Sequence, residues 1–192
     1  MARIGLKGMT YAVVSGGGEG SAVTYSGGAT QANLMIAANV TINRDDVKQH
    51  ADNAAVERVN GITSAQIALE LARLYDDKKA AILGYVAGGS SDGTLTVTDA
   101  PAPYVGFGYI TNEVKAGVAS YVGYWFYKVQ FGMDNDNAQT KAEQTQFQSV
   151  NLTGEAMGVQ LEAGGPMVFY ITKTAASESA IRTWLNGLAG IS

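Results

Sequence analysis

The sequence contains no cysteine, which excludes disulfides, a thiolate metal site and a thiol nucleophile. Its single histidine, His50, lies among charged residues in "VKQHADN". That setting is typical of a surface or hydrogen-bonded structural histidine. Any histidine-dependent catalysis would have to rely on this one side chain.

Long hydrophobic runs are also absent, and no stretch approaches the roughly 20 apolar residues that a membrane-spanning helix needs. The opening "MARIGLKGMTYAVV" has charges at Arg3 and Lys7 but no continuous apolar region, so we do not expect a signal peptide. Acidic residues outnumber basic ones by 17 to 13, giving a net charge of −4. This balance argues against a nucleic-acid clamp or a protein that binds anionic membranes, and we expect no membrane partner.

Glycine, in contrast, is abundant, with 24 in 192 residues, close to twice the usual ~7%. Much of it is interleaved with aromatic residues, as in "GFGYI" and "GYWFY", while only 3 prolines occur. This composition indicates many strands and tight turns. The glycine-rich breaks at 15–21, 26–28 and 88–93 are too short for interdomain linkers, so we expect a single domain over residues 1–192.

Alternation of apolar and other residues predicts most of the strands. In residues 32–43 the alternating set is Leu34, Ile36, Ala38, Val40 and Ile42. Further strands are predicted over 94–98, 103–114, 118–131, 145–154 and 166–172. The second and third of these form a predicted hairpin that turns at 115–117.

The strand 118–131 is the most aromatic of the set. Strict alternation places Tyr121, Trp125, Tyr127, Val129 and Phe131 on one face. The opposite face is predicted to be apolar at first, with Val122, Tyr124 and Phe126, and then polar at Lys128 and Gln130.

Two segments have helical character. In 177–187, Ser177 is a predicted N-cap, and Gly187 stands where a C-cap would end the helix. Ile181, Trp184, Leu185 and Leu188 recur there at helical spacing. Residues 62–75 fit a strand or a helix, because helix propensity is high while Ala65, Ile67 and Leu69 alternate. We favour a strand to about Leu71 and a short helix near 75–83. The predicted class is mainly β, an antiparallel sandwich or barrel with one or two flanking α-helices.

Three motifs hint at chemistry, and each fails a test. An EF-hand loop that starts at Asp134 in "DNDN" would need glycine and glutamate where Gln139 and Thr145 stand. "GSSDG" places Ser91 as a nucleophile, but a strand follows it and the only histidine lies upstream. "SGGGEGS" lacks the Lys-Ser/Thr of a phosphate loop. We therefore expect no enzyme, no cofactor and no metal.

A family resemblance does emerge from segments in a fixed order. They are "GLKGMTYAVV" near the start, "HADN", "PYVGFGYI", "YWFYKVQF", a polar loop with "TKAE", a strand ending in Gly154, and the terminal "ESAIRTWLNGL". Together they resemble the major tail proteins, or tail tube subunits, of long-tailed bacteriophages. The least typical region is 56–79.

The resemblance implies a structural virion protein that forms hexameric rings, stacked into a hollow tube. Its partners would be other copies of itself, the tape-measure protein, and the tail terminator and distal tail proteins. DNA would pass through without specific binding, and assembly would occur in the bacterial host cytoplasm. Alternatives are a tube protein of a contractile tail or of a type VI-like secretion machine, or a β-sandwich adhesin or carbohydrate-binding module.

Within that resemblance, the polar run 132–143 becomes a predicted ring-stacking loop that orders on assembly, with Asp134, Asn135, Asp136 and Asn137 as its contact residues. The alternative is an ordinary solvated hairpin loop. The N-terminal segment and the glycine-rich loops are also expected to take part in assembly. The residues predicted to face the lumen are Glu70, Glu143, Gln144, Gln146 and Gln148.

Overall fold

A computed structural model describes residues 2–31, 35–51, 54–88, 93–115, 117–135 and 149–191. The long strands are β1 (Ala2–Gly16), β2 (Thr24–Gln31), β3 (Met35–Ala51), β4 (Ala54–Leu71), β7 (Tyr104–Lys115), β8 (Val118–Asn135), β9 (Val150–Ala156) and β12 (Tyr170–Ala175). Short two-residue strands are β5 (Val86–Ala87), β6 (Leu95–Thr96), β10 (Val159–Gln160) and β11 (Met167–Val168). The helices are α1 (Asp76–Leu83) and α2 (Glu178–Leu188).

Strand β8 connects two antiparallel layers. On one side it pairs with β7; on the other, Tyr121–Phe126 pair with β12, and Val129–Asn135 pair mainly with β9. We call β2-β1-β7-β8-β12 the helix-side sheet, and β8-β9-β4-β3 the polar-faced sheet. In the described part of the chain these layers stay open rather than closing into a barrel, which confirms the predicted antiparallel sandwich.

The main core lies between the two sheets. It contains Ile67, Leu69, Phe107, Phe126 and Phe131, all nearly inaccessible to solvent. Helix α1 adds Ile82 and Leu83 to the same core. A second core lies on the opposite face of the helix-side sheet, where α2 covers Trp125 with Ile181 and Leu185. The apolar stripe of α2 thus determines which sheet face it covers.

The ambiguous segment 62–75 is a strand up to Leu71, and α1 follows at Asp76, as we favoured. Tertiary pairing decides against helix here. Ala65–Leu71 bond to β9 on one side, and to β3 on the other. The alternating residues Ala65, Ile67, Leu69 and Leu71 are all buried in the main core.

The predicted faces of the aromatic strand are wrong beyond Tyr127. Val105 pairs with Val129 and Phe107 with Phe126, so β8 holds one residue more than β7 in this interval. Such a bulge reverses the alternation. Trp125 and Tyr127 therefore lie in the second core, whereas Val129 and Phe131 lie with Phe126 in the main core.

Other irregularities correct smaller predictions. Ile36 is exposed, because the register slips between Met35 and Ala37. The break at 26–28 lies inside β2 as a bulge, with Gly27 at φ +61°. The predicted strand 94–98 is reduced to Leu95–Thr96, and 166–172 divides into β11 and β12.

Helix α2 begins as predicted and ends later. The Ser177 hydroxyl accepts a hydrogen bond from the Ala180 amide at 3.3 Å, which confirms the N-cap. Gly187 lies inside the helix, which ends at Leu188, and Gly190 takes the left-handed conformation instead. The 104–115 and 118–135 hairpin is confirmed, with Lys115 opposite Val118.

Candidate assembly surface

The outward face of the polar-faced sheet is built from three rows of paired residues. The pairings in β3, β4, β9 and β8 define these rows, and side chains alternate between faces along each strand. The first row is Ala37, Glu70 and Asn151; the second is Asn39, Ala68, Thr153 and Gly132; the third is Thr41, Gln66, Glu155 and Gln130. We call this surface the polar face.

Charge on the polar face has one sign, because both ionisable residues in the three rows, Glu70 and Glu155, are carboxylic acids. The remaining members are amides, hydroxyls, alanines and glycine. The nearest cation along β8 is Lys128, whose ammonium lies 4.4 Å from the centre of the Tyr104 ring. Because the three rows contain no basic residue, we expect this surface to bind phosphate groups weakly.

Hydrogen bonds hold part of this face in place. The Gln130 amide donates to the Ala102 carbonyl at 2.7 Å, and the Asn43 amide donates to the Ser64 hydroxyl at 3.0 Å. A shallow groove of about 440 Å³ between them is lined in part by Gln66 and Glu155. These groups provide hydrogen bonding and negative charge. Among the described residues, no cluster of three metal-ligating side chains exists.

Both edges of the polar-faced sheet lack a strand partner within the described part of the chain. On the β3 side, pairing with β4 is the only pairing that β3 makes there. At the other side, β7 begins opposite Gln130, so Phe131–Asn135 bond to β9 alone. Unpaired edges of this kind are templates for pairing with another chain.

A two-stranded ribbon extends from this sheet. Arg44–Ala51 pair with Ala54–Ile62. This part of β4 lies beyond Ala65, the last residue of β4 that pairs with β9. His50 belongs to this ribbon, with its backbone opposite Ala55. An isolated two-stranded ribbon is marginally stable in water, so this element is a further candidate for contact with another subunit.

The residues predicted for the site are only partly brought together. Glu70 lies on the polar face, half-buried, opposite Ala37 and Asn151. Asp134 and Asn135 belong to strand β8 rather than to a loop, so the predicted loop that began at Gly132 is wrong over these residues. The other predicted contact and lumen positions lie outside the described residues: Asp136, Asn137, Glu143, Gln144, Gln146 and Gln148. Ser91, of the rejected nucleophile motif, also lies outside them.

Glu155 is the residue of the polar face that sequence reasoning missed. Its strand was expected to end at Gly154 but continues to Ala156. The signal was available, since Asn151, Thr153 and Glu155 alternate with buried Leu152 and Ala156. Extending the predicted strand by two residues, from Gly154 to Ala156, would have placed Glu155 on its polar side.

The opposite side of the molecule carries a compact ion cluster. The Glu178 carboxylate accepts a hydrogen bond from the Lys7 ammonium at 2.7 Å, and from the Arg182 guanidinium at 2.6 and 2.9 Å. Lys7, followed by Arg182, lowers the pKa of Glu178, and Glu178 in turn raises the pKa of Lys7. The cluster links β1 to α2.

Together, these features describe a β-sandwich subunit with a polar outer face and, among the described residues, sheet edges without a strand partner. This is the kind of structural protein that assembles with other copies. The sequence matches the family model described as phage tail tube protein over residues 21–181. This chain belongs to that family and is a structural component of the bacteriophage tail. A comparison with curated proteins gave no match. No described helix is long and apolar enough to cross a membrane.

Proposed function

We propose that this protein forms hexameric rings that stack into the hollow tail tube, which surrounds the tape-measure protein and conducts DNA into the host. Tube formation from many copies follows from membership of the family. The observation that carries the finer proposal is the polar face, which is one side of a four-stranded sheet and has no basic residue in its three rows. In the part of the chain that the structure describes, the strand at each edge of this sheet is unpaired on its outer side.

Ring closure uses the two unpaired edges. The β3 edge of one subunit meets the Phe131–Asn135 edge of the next, so the contact surfaces differ on the two partners. A heterologous contact of this type gives a closed ring when its rotation closes. Six polar-faced sheets then join around a common channel, and their polar faces line it.

Electrostatics favours the polar face as the channel wall. DNA carries one negative charge per ~1.7 Å of its axis, and each basic side chain that neutralises a phosphate adds salt-dependent affinity. Every residue of the channel wall occurs once in each subunit of each ring. One lysine in the wall would therefore give a phosphate contact in every subunit along the tube. Glu70 and Glu155 repel the duplex and allow it to slide.

Stacking of rings is proposed to involve residues at the end of β8 and beyond. Asp134 and Asn135 end that strand, and Asp136 and Asn137 follow them in the sequence. These four residues together form the proposed stacking contact. The ribbon of β3 and β4 is a second element available for contact between rings, because β9 does not reach it.

Negative-stain electron microscopy of the purified protein, combined with sedimentation over a range of concentrations and salt, tests the proposal. We expect six-fold rings at intermediate concentration and tubes at high concentration. Compact monomers under all conditions would overturn it. Replacement of all four residues 134–137 by alanine keeps the backbone groups of the ring-closing edge, so it should leave rings and prevent tubes. Unchanged tubes from this variant would exclude the stacking role.

A further inference from the structure

The shallow groove of the polar face has a volume of about 440 Å³, and its lining includes Gly132 and Thr153. A Cβ at Gly132 would meet only the Thr153 carbonyl, at 3.9 Å, so the surface is open at this point. No lysine, arginine or histidine is among the described residues that line the groove. A ligand could therefore enter it without meeting a positive charge.

Three side chains of this groove form a row across neighbouring strands. Gln66 of β4 pairs with Glu155 of β9, and Glu155 pairs with Gln130 of β8. Paired residues share a face of the sheet, so an amide side chain flanks the Glu155 carboxylate on each side, at roughly 5 Å between Cβ atoms. Glu155 is exposed and carries the only charge among the described residues that line the groove.

Two amides of the groove are oriented so that they offer oxygen to a ligand. The Ala102 carbonyl can only accept, so the side-chain nitrogen of Gln130 faces it at 2.7 Å and the side-chain oxygen of Gln130 faces away. The side-chain nitrogen of Asn43 donates to the Ser64 hydroxyl at 3.0 Å. With the Glu155 carboxylate, the groove thus presents acceptors and one negative charge. A positively charged ligand with several donors complements this set.

We propose that this groove binds the guanidinium group of an arginine side chain, on a polypeptide that lies along the polar face. A guanidinium has five N–H donors in a planar fork, and two of them bond to one carboxylate in a bidentate pair. Glu155 accepts these two, and the remaining three lie beside the oxygens of Gln66 and Gln130. A lysine ammonium is a point charge with three donors, so it matches this row less well.

The inference rests on the proposed function, in which the polar face lines the channel. The groove then occurs once in each subunit, and a polypeptide with several arginines meets many weak sites at once. Binding at one site raises the effective concentration of the polypeptide at the next, so the weak contacts reinforce one another. The same acceptors repel phosphate. Such a wall retains a basic polypeptide and still lets DNA slide.

Titration of the isotope-labelled protein with N-acetyl-arginine amide, followed by NMR, tests the groove. We expect saturable shifts of the side-chain amide signals of Gln66 and Gln130, and none with the uncharged citrulline derivative. Glu155→Gln should weaken binding by about fivefold, while urea unfolding checks that the fold is retained.

Glu70→Gln is the matched control, because it removes the same charge from the same face. Glu70 lies four residues along β4 from Gln66, roughly 13 Å away and beyond the ~8 Å Debye length at about 0.15 M salt. It does not line this groove, and its loss should change the affinity by less than about twofold. Equal weakening by both variants, or equal binding of the citrulline derivative, would overturn the specific site.

Retention of a peptide in assembled tubes tests where the groove faces. A labelled helical peptide with an arginine in every second turn, present during assembly, should sediment with parent tubes, and about fivefold less with Glu155→Gln tubes. Arginine binding by the monomer without retention in tubes would overturn the placement in the channel. Tubes formed by a protein that binds no arginine would overturn the groove and leave the tube function intact. A parent protein that forms neither rings nor tubes would overturn the tube function, while the titration still decides the groove.

Discussion

Glycine positions show at the scale of single residues how closely the elements pack. A Cβ at Gly154 would lie 2.5 Å from the Phe131 ring and 3.0 Å from Val129. Those neighbours are buried in the main core, so a shift of either side chain would disturb the surrounding packing. One row further, a Cβ at Gly132 would have only the Thr153 carbonyl at 3.9 Å. Both glycines lie in strands, so the contrast comes from the packing on each face.

Gly154→Ala should therefore destabilise the protein by about 1–3 kcal/mol, as overpacking does in other cores. Gly132→Ala should be neutral or stabilising by about 0.4–1 kcal/mol, because it restricts the unfolded chain. Equilibrium urea unfolding of the two variants measures the difference. Equal stability of both would contradict the close packing of Phe131 against Gly154.

At the scale of elements, the ion cluster of Lys7, Glu178 and Arg182 links α2 to β1, in addition to the apolar contacts of the second core. The three side chains come from a strand near the start of the chain and the last helix. Glu178 also lies in the first turn of α2, where negative charge is favoured by the helix dipole. The attachment of the helix is thus expected to depend on pH.

The direction in which stability changes with pH follows from the lowered pKa of Glu178. A carboxylate with a folded pKa below its ordinary value of 4.5 stabilises the fold above pH 4.5, and this contribution is lost as pH falls through the folded pKa. Glu178→Gln should therefore lower the urea midpoint at pH 7, with the difference from the parent shrinking below pH 4.5. Glu162→Gln, in an exposed turn, is the control. A difference that does not change with pH would exclude the ion cluster as its cause.

At the scale of the whole molecule, the sandwich separates two kinds of surface. The helix-side sheet is covered by α2, whereas the polar-faced sheet presents amides, hydroxyls and two acids to its surroundings. A sheet buried on one face and polar on the other is an ordinary antiparallel arrangement. What distinguishes this one is that its edges are unpaired among the described residues and that its three rows carry charge of one sign.

If the polar face lines the channel, as proposed, reversing that charge should change DNA transit rather than assembly. We expect particles carrying Glu155→Lys or Glu70→Lys to have tails of normal appearance, and to eject DNA slowly or incompletely, with partial rescue at high salt because phosphate contacts weaken there. Glu162→Lys, outside the polar face, is the control. Ejection kinetics by light scattering or dye release provide the measurement, and wild-type kinetics for both wall variants would contradict the electrostatic argument.

The sequence by itself determined the features that depend on local pattern. Ser177 with the stripe Ile181, Trp184 and Leu185 identified α2, and the segments around β7 and β8 identified their hairpin and helped to identify the family. Alternation in 64–71 only favoured a strand, which pairing with β3 and β9 then established as β4. These predictions succeeded because each depends on neighbouring residues and on burial of one face.

Only the tertiary structure decided which residues share a surface. The bulge in β8 moves Val129 and Phe131 to the main core, and the slip at Ile36 exposes a residue that alternation would bury. The polar face joins Glu70 with Glu155, 85 positions apart, through the pairing of β4 with β9. One extra residue in a strand moves every later side chain to the opposite face. The face that a side chain occupies therefore depends on the register with strands distant in sequence, and the local pattern of residues does not contain that register.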